Sequence, residues 1–236
     1  MTVDAAAQRM PHNPQIRTDA SVADRLIEAA ESLYGHNGLE GASLRQISIA
    51  AGTGNNYAVQ YHFGDAAGLI RAILTKRMPE IDLRMARLLS SLKAQGRLAE
   101  TRALVELLFR PLFDHVNSRG ERAHARFVLA LLSSPAGAQQ HATGLLNMMP
   151  IADHVFGLLN AANPDIPPSF LRERQRLITI MVLTSVFNRH TPYDAEEYDE
   201  ALIANALDMA SAALTAPIGD GVQDMLRRTG SKRGDR

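Results

Sequence analysis

Apolar residues recur at helical spacing along almost the whole chain, and polar turn residues interrupt them at intervals. A first helix is predicted from Ser21, whose hydroxyl suits an N-cap with Asp24 three residues on. Leu26, Ala30, Leu33 and Tyr34 then share one face, and Gly38 closes the helix. Gly41 and Ala42 form a tight connection to Ser43, a second N-cap. Leu44, Ile47 and Ala51 make the buried stripe of a short helix that Gly52 stops. The run Thr53, Gly54, Asn55, Asn56 reads as a turn. A third short helix is expected from about Asn55 to His62, followed by Phe63 and Gly64. Asp65 is placed to cap a fourth helix with Leu69, Ile70, Ile73 and Leu74 inside. Pro79 is expected to kink or split that helix, because it lacks an N–H and clashes with the preceding turn.

From Ile81 to Ala213 the pattern stays helical, punctuated at Gly96, Gly120, Pro135, Pro150 and the 163–168 loop. Two long amphipathic helices are predicted over about 169–189 and 194–214. Residues 1–20, with Arg9, Pro11, Pro14 and Arg17, lack apolar periodicity and read as a mobile arm. Residues 217–236 carry Arg227, Arg228, Lys232, Arg233 and Arg236 among glycines and read as an unordered basic tail. The expectation is an all-α protein. Its parts are the arm (1–20), an N-terminal three-helix domain (21–78), a larger helical domain (79–215) and the tail (216–236).

Composition narrows the function. The 46% hydrophobic fraction is dominated by Ala, Leu and Met, with only 5% aromatics, which favours helix over sheet. The absence of cysteine rules out a disulfide framework, a thiolate metal site and a thiol nucleophile. No apolar run reads as a signal peptide or a membrane span, so the expected setting is the cytoplasm without a membrane partner. The histidines at 12, 36, 62, 115, 124, 141, 154 and 190 show no paired metal-ligand spacing. Asp114–His115 and Asp153–His154 are neighbours that point to different helix faces. No Gly-rich phosphate loop, Gly-x-Ser-x-Gly elbow or His-Glu-x-x-His is present. No enzyme activity, catalytic residue, metal or cofactor is expected.

Three short helices with a glycine turn between the second and third have the arithmetic of a helix-turn-helix, and also of an ordinary small bundle. Specific residues favour the first. Residues 25–74 resemble the DNA-binding domain of TetR-family repressors. The resemblance is carried by Leu26-Ile27-x-Ala29-Ala30, Gly38, Ser43-Leu44-Arg45-x-Ile47, Ala50-Ala51-Gly52, Tyr61-His62-Phe63 and Gly68-Leu69. The run Asn55-Asn56-x-Ala58-Val59-x-Tyr61-His62-Phe63-Gly64 is similar to one subgroup of that family. Gly52 to Phe63 encloses ten residues, one more than the usual family spacing, which puts Asn55 where the family has its capping serine. The fourth helix opens Asp65-Ala66-Ala67, without the family's lysine near the DNA backbone.

The resemblance implies a repressor that binds a near-palindromic double-stranded operator as a homodimer paired through its last two helices. It further implies a divergent second domain that binds a small effector. Side-chain chemistry distributes the roles. Asn56 and Gln60 each donate and accept, which suits the edge of adenine. Asn55 suits a cap. Tyr57, Tyr61 and His62 can reach phosphates, with packing at the helix end as the alternative for the last two. Ser43 and Arg45 suit the backbone, aided by a helix N-terminus, and Thr53 lies in the turn beside them. The formal net charge is zero, and residues 21–64 hold Arg25 and Arg45 against Asp24, Glu28, Glu31 and Glu40. DNA binding there must rest on hydrogen bonds and a few basic groups; Arg9 and Arg17 would add charge if the arm reaches DNA, but an inert arm is the favoured reading.

The second domain is rich in Met and Phe. Phe109, Phe113, Phe127, Leu131, Met149, Phe156 and Met181 are the candidates to line a pocket for an apolar effector, Met being adaptable in such walls. Pro111 and Pro150 are candidates to open it. The other reading is a helical DNA-binding regulator with no small ligand, controlled by a partner or by concentration.

Overall fold

A computed structural model describes residues 21–134, 146–187 and 196–231, all of them in helices and their connections. The arm with Arg9, His12 and Arg17, together with Pro135, His141, His190 and residues 232–236, lies outside the described residues.

α1 (Val22–Asn37) starts where Ser21 Oγ accepts from the Asp24 N–H at 3.1 Å. It buries Leu26, Ile27, Ala30 and Tyr34 and ends at Gly38. α2 (Leu44–Ala50) opens with a reciprocal cap between Ser43 and Gln46. Gly52 follows it at φ 66°, a left-handed conformation that a side chain resists, and so the chain turns there. α3 (Ala58–Phe63) begins three residues later than the spacing suggested. The cause is a local turn: Asn55 Oδ1 accepts from the Tyr57 N–H at 2.9 Å, and the Ala58 N–H donates to the Asn55 carbonyl at 3.1 Å.

α4 (Ala66–Ala94) is capped by Asp65, whose Oδ1 accepts from the Gly68 N–H at 2.7 Å. Pro79 does not split it. The helix runs through as one element of 29 residues, with Pro79 and Thr75 both exposed. The Thr75 carbonyl, which loses its helical donor to the proline ring, therefore faces water, and the break costs little.

α5 (Thr101–Phe113), α6 (Ala123–Ser133), a 3₁₀ turn (Leu146–Met148) and α7 (Pro150–Ala162) follow. Pro150 starts α7, the position at which a missing N–H is free of cost. The buried Asp82 of α4 accepts from the Ile151 and Ala152 N–H groups at 3.1 Å each, capping α7 from another helix. α8 (Pro168–Phe187) and α9 (Glu196–Thr215) lie close to their expected bounds. α10 (Asp220–Ser231) corrects the expectation of an unordered tail: Asp220 sits in its first turn, no proline interrupts it, and Val222 and Met225 are exposed.

The two most extensive helix pairings are α1 on α6 and α8 on α9. α4 packs against α1, α3, α5 and α7, and α5 also meets α7 and α9. The apolar interior is continuous from Leu26 in α1 to Leu214 in α9. α1 and α6 meet at Gly35, where a side chain would lie 2.8 Å from Arg126 Cβ and 3.2 Å from the Phe127 backbone nitrogen.

Candidate functional site

α2, the Gly52 turn and α3 form a helix-turn-helix. Ala58 and Val59 fill its floor, while Asn56, Tyr57, Gln60, Tyr61 and His62 stand in solvent. Tyr61 is 82% exposed and Tyr57 71%, so neither phenol packs at the helix end. The His62 ring lies edge-on to Tyr61, 5.0 Å between centroids. Arg45 is exposed on α2. Three of the expected residues are occupied locally. The Ser43 hydroxyl donates to Gln46 Oε1 at 2.8 Å, and Asn55 holds the turn before α3. Half-buried Thr53 places its hydroxyl 2.8 Å from the Ser48 carbonyl and 3.0 Å from that of Asn55, tying the turn.

The acidic residues counted against this surface are engaged elsewhere. Asp24 pairs with Lys76 of α4. Glu28 accepts from Ser118 Oγ at 3.2 Å, and Glu40 from Ser134 Oγ at 2.8 Å. Glu31 is buried. All four carboxylates of residues 21–64 thus bond to later parts of the chain, which leaves mainly neutral donors and Arg45 around α3.

Glu31 is the centre of a buried cluster that the sequence pattern did not reveal. Arg77 of α4 reaches it with Nε at 3.0 Å and Nη2 at 2.9 Å, a forked pair. His124 of α6 places Nδ1 2.7 Å from Glu31 Oε1; because an ionised carboxylate only accepts, the ring N–H donates. Burial pushes the Glu31 carboxyl up, but the hydrogen bonds from His124 and Arg77 outweigh it and hold it below the usual range. His115 lies edge-on to His124, 5.8 Å between centroids. Burial pushes the His115 imidazole down, and the charges of Arg77 and His124 add to that. The Tyr34 hydroxyl, buried without a partner among the described residues, is pushed up to about 12. The one available signal was Glu31 itself, a carboxylate four residues after Ile27 on the apolar face of α1.

A cavity of about 200 Å³ lies among α4, α5, α6, α7 and α8. Of the seven candidates, Phe109, Leu131, Met149 and Phe156 line it. Phe113, Phe127 and Met181 do not. Phe113 and Phe127 are fully buried in the core, Phe127 against Tyr34 with ring centroids 6.2 Å apart, and Met181 is half-buried. Neither Pro111 nor Pro150 lines it either. The wall from α4 is made by Leu74, Met78, Ile81 and Met85, whose spacing of four, three and four residues marks one helix face. Gln175 and Thr179 on α8 were missed because polar residues are not sought in an apolar pocket. No helix among the described residues is long and apolar enough to cross a membrane.

No family model and no curated protein matches the chain. Among solved structures, it is similar to a protein from Mesorhizobium loti MAFF303099 whose name places it, provisionally, among TetR-family transcriptional regulators. The identity is 14%, the TM-score 0.41, and the match covers 84% of this chain and 98% of the other. A likeness of that size carries no weight for function, which has to be read from the geometry.

Proposed function

We propose that the chain is a transcriptional regulator, most simply a repressor. It binds a near-palindromic operator as a homodimer and is released by a small apolar effector. The observation that carries this reading is α3 with the turn that enters it: Asn56 and Tyr57 of the turn and Gln60, Tyr61 and His62 of the helix face outward over a buried Ala58–Val59 floor. Such a helix, entered from a glycine turn, fits the major groove, with amides for base edges and hydroxyl and imidazole groups for phosphates. The division of labour falls near Pro79, with DNA reading before it and effector binding mostly after it, Leu74 and Met78 of the same helix completing the cavity wall. The apolar cavity favours control by a small molecule over control by concentration alone. Leu177 on α8 and Met209 on α9, each about half exposed, support a second copy as the partner of these helices.

The test is a panel measured against DNA fragments selected by the protein and against scrambled DNA. Asn56→Ala and Gln60→Ala are expected to cost about 1–3 kcal/mol each on selected DNA and little on scrambled DNA. Arg45→Ala is expected to weaken both alike. Equal losses on both DNAs for Asn56→Ala would remove base reading from α3.

A further inference from the structure

Resting on the reading of the second half as an effector domain, we infer that its cavity takes an uncharged, largely hydrocarbon molecule bearing one hydroxyl, carbonyl or amide group, and that Gln175 anchors that group.

Among the described residues, the cavity walls are hydrocarbon and thioether apart from Gln175 and Thr179. Gln175 is nine-tenths buried on α8, flanked along its own helix by the buried Leu171 and Ile178. Its side-chain amide makes no hydrogen bond to any other residue among those described. The amide is unpartnered without being sealed off, so it stays open to a polar group of a ligand, which gains a hydrogen bond on binding. The Thr179 hydroxyl donates to the Gln175 carbonyl at 2.7 Å, so its proton is spent and only its oxygen remains to accept. These two lining residues hold between them one donor group, Gln175 Nε2, and two acceptors, Gln175 Oε1 and Thr179 Oγ1. A single hydroxyl, carbonyl or amide satisfies that set.

Charge selects in the other direction. No Lys, Arg, His, Asp or Glu lines the cavity among the described residues. A carboxylate or an ammonium would be buried without a counter-ion, the most costly transfer of all. Size sets a lower bound: an engineered apolar cavity of about 150 Å³ holds benzene, and this one is somewhat larger. Met78, Met85 and Met149 give it walls that reshape around a longer ligand.

Isothermal titration of the full chain with three matched probes tests this: 4-ethylphenol, 4-ethyltoluene and 4-ethylbenzoate. The wild-type protein is expected to bind 4-ethylphenol and to reject 4-ethylbenzoate. Gln175→Met keeps the length of the side chain and removes the amide; Gln175→Leu also removes the amide, with a shorter side chain, if Met disturbs the packing. Either is expected to weaken 4-ethylphenol about tenfold, the loss of one neutral hydrogen bond, and to tighten 4-ethyltoluene, which no longer strands an amide. Operator binding without probe is expected to stay unchanged. If both uncharged probes bind the wild type and the variants alter neither, or both alike, Gln175 is not the anchor while the effector domain stands. Binding of 4-ethylbenzoate as tight as that of 4-ethylphenol overturns the uncharged class. If neither uncharged probe binds the wild type, the effector domain itself falls, and this inference with it.

Discussion

Glu31 ties α1 to α4 and α6 through side chains that have almost no access to water. Breaking such a pair on one side costs more than the pair contributes, because the partner is left charged and buried. Arg77→Met is expected to destabilise the fold by about 3–5 kcal/mol, and Glu31→Met in the same background to restore part of the loss. Urea unfolding of the wild type and the two variants measures it; a double variant no better than Arg77→Met would mean that the cost lies in packing. The cluster also gives stability a pH dependence. His115 has a folded-state pKa below its ordinary 6.5, so the unfolded chain takes up a proton first and stability falls as the pH drops below about that value. Arg77, His124 and Arg84 oppose the proton and Glu31 favours it. Glu31, held below its ordinary 4.5, adds stability that is present above that value and is lost as the pH falls through its lower folded-state pKa. Both act in the same direction. His115→Gln is expected to flatten the stability profile just below pH 6.5 and leave the acid limb that belongs to Glu31. An unchanged profile would place the titration elsewhere.

At the scale of helices, two glycines within helices make opposite predictions. Gly35 in α1 has the α6 backbone against it, so Gly35→Ala is expected to force α1 and α6 apart, costing about 1–3 kcal/mol. Gly157 in α7 has open space where a side chain would go, so Gly157→Ala is expected to stabilise by about 0.5–1 kcal/mol. Thermal melts of both variants read the signs directly. Most helices were legible in the sequence because their ends are written in local chemistry: Ser21, Ser43 and Asp65 cap, and Gly38 and Gly52 stop. The start of α3 was not, since Asn55 bonds to Tyr57 in a turn that competes with the helix. Nor was the continuity of α4 through Pro79, which depends on where the proline faces once the helix has packed. The polar face of α3 followed from side-chain type alone. The cavity followed only in part, because apolar residues that line a space and those that fill one share the same periodicity; Phe109 and Phe113 differ only by their place in the packed bundle.

For the molecule as a whole, the proposed DNA contacts are mostly neutral, and the acidic groups of α1 bond to α4, to α6 and to the connection between α5 and α6. The salt dependence of operator binding is therefore expected to be shallow, since each phosphate contact by a cation contributes about 0.9 to the log–log slope. Affinity measured from low to high salt checks this. A steep slope that collapses on removal of residues 1–20 would show instead that the arm supplies the charge. Light scattering during the same titrations reads whether two copies bind together. The unbroken α4 then sets how a change in one half is felt in the other. Its Leu69 and Ile70 lie where it packs on α3, and its Ile81 and Met85 lie in the cavity wall. The cavity wall on α4 starts at Leu74, about 6 Å along the helix from Ile70, and at 1.5 Å per residue about 20 Å of stiff helix leads to its far end at Met85. Such a rod acts as a lever: a tilt of about 5° at the cavity swings the α3 end by about 2 Å over that length. In two copies related by symmetry the swings add to about 4 Å, roughly a tenth of the 34–36 Å span between successive major-groove sites on one side of DNA. On the proposed function, a molecule little larger than benzene would put two reading heads out of register with a duplex it never touches.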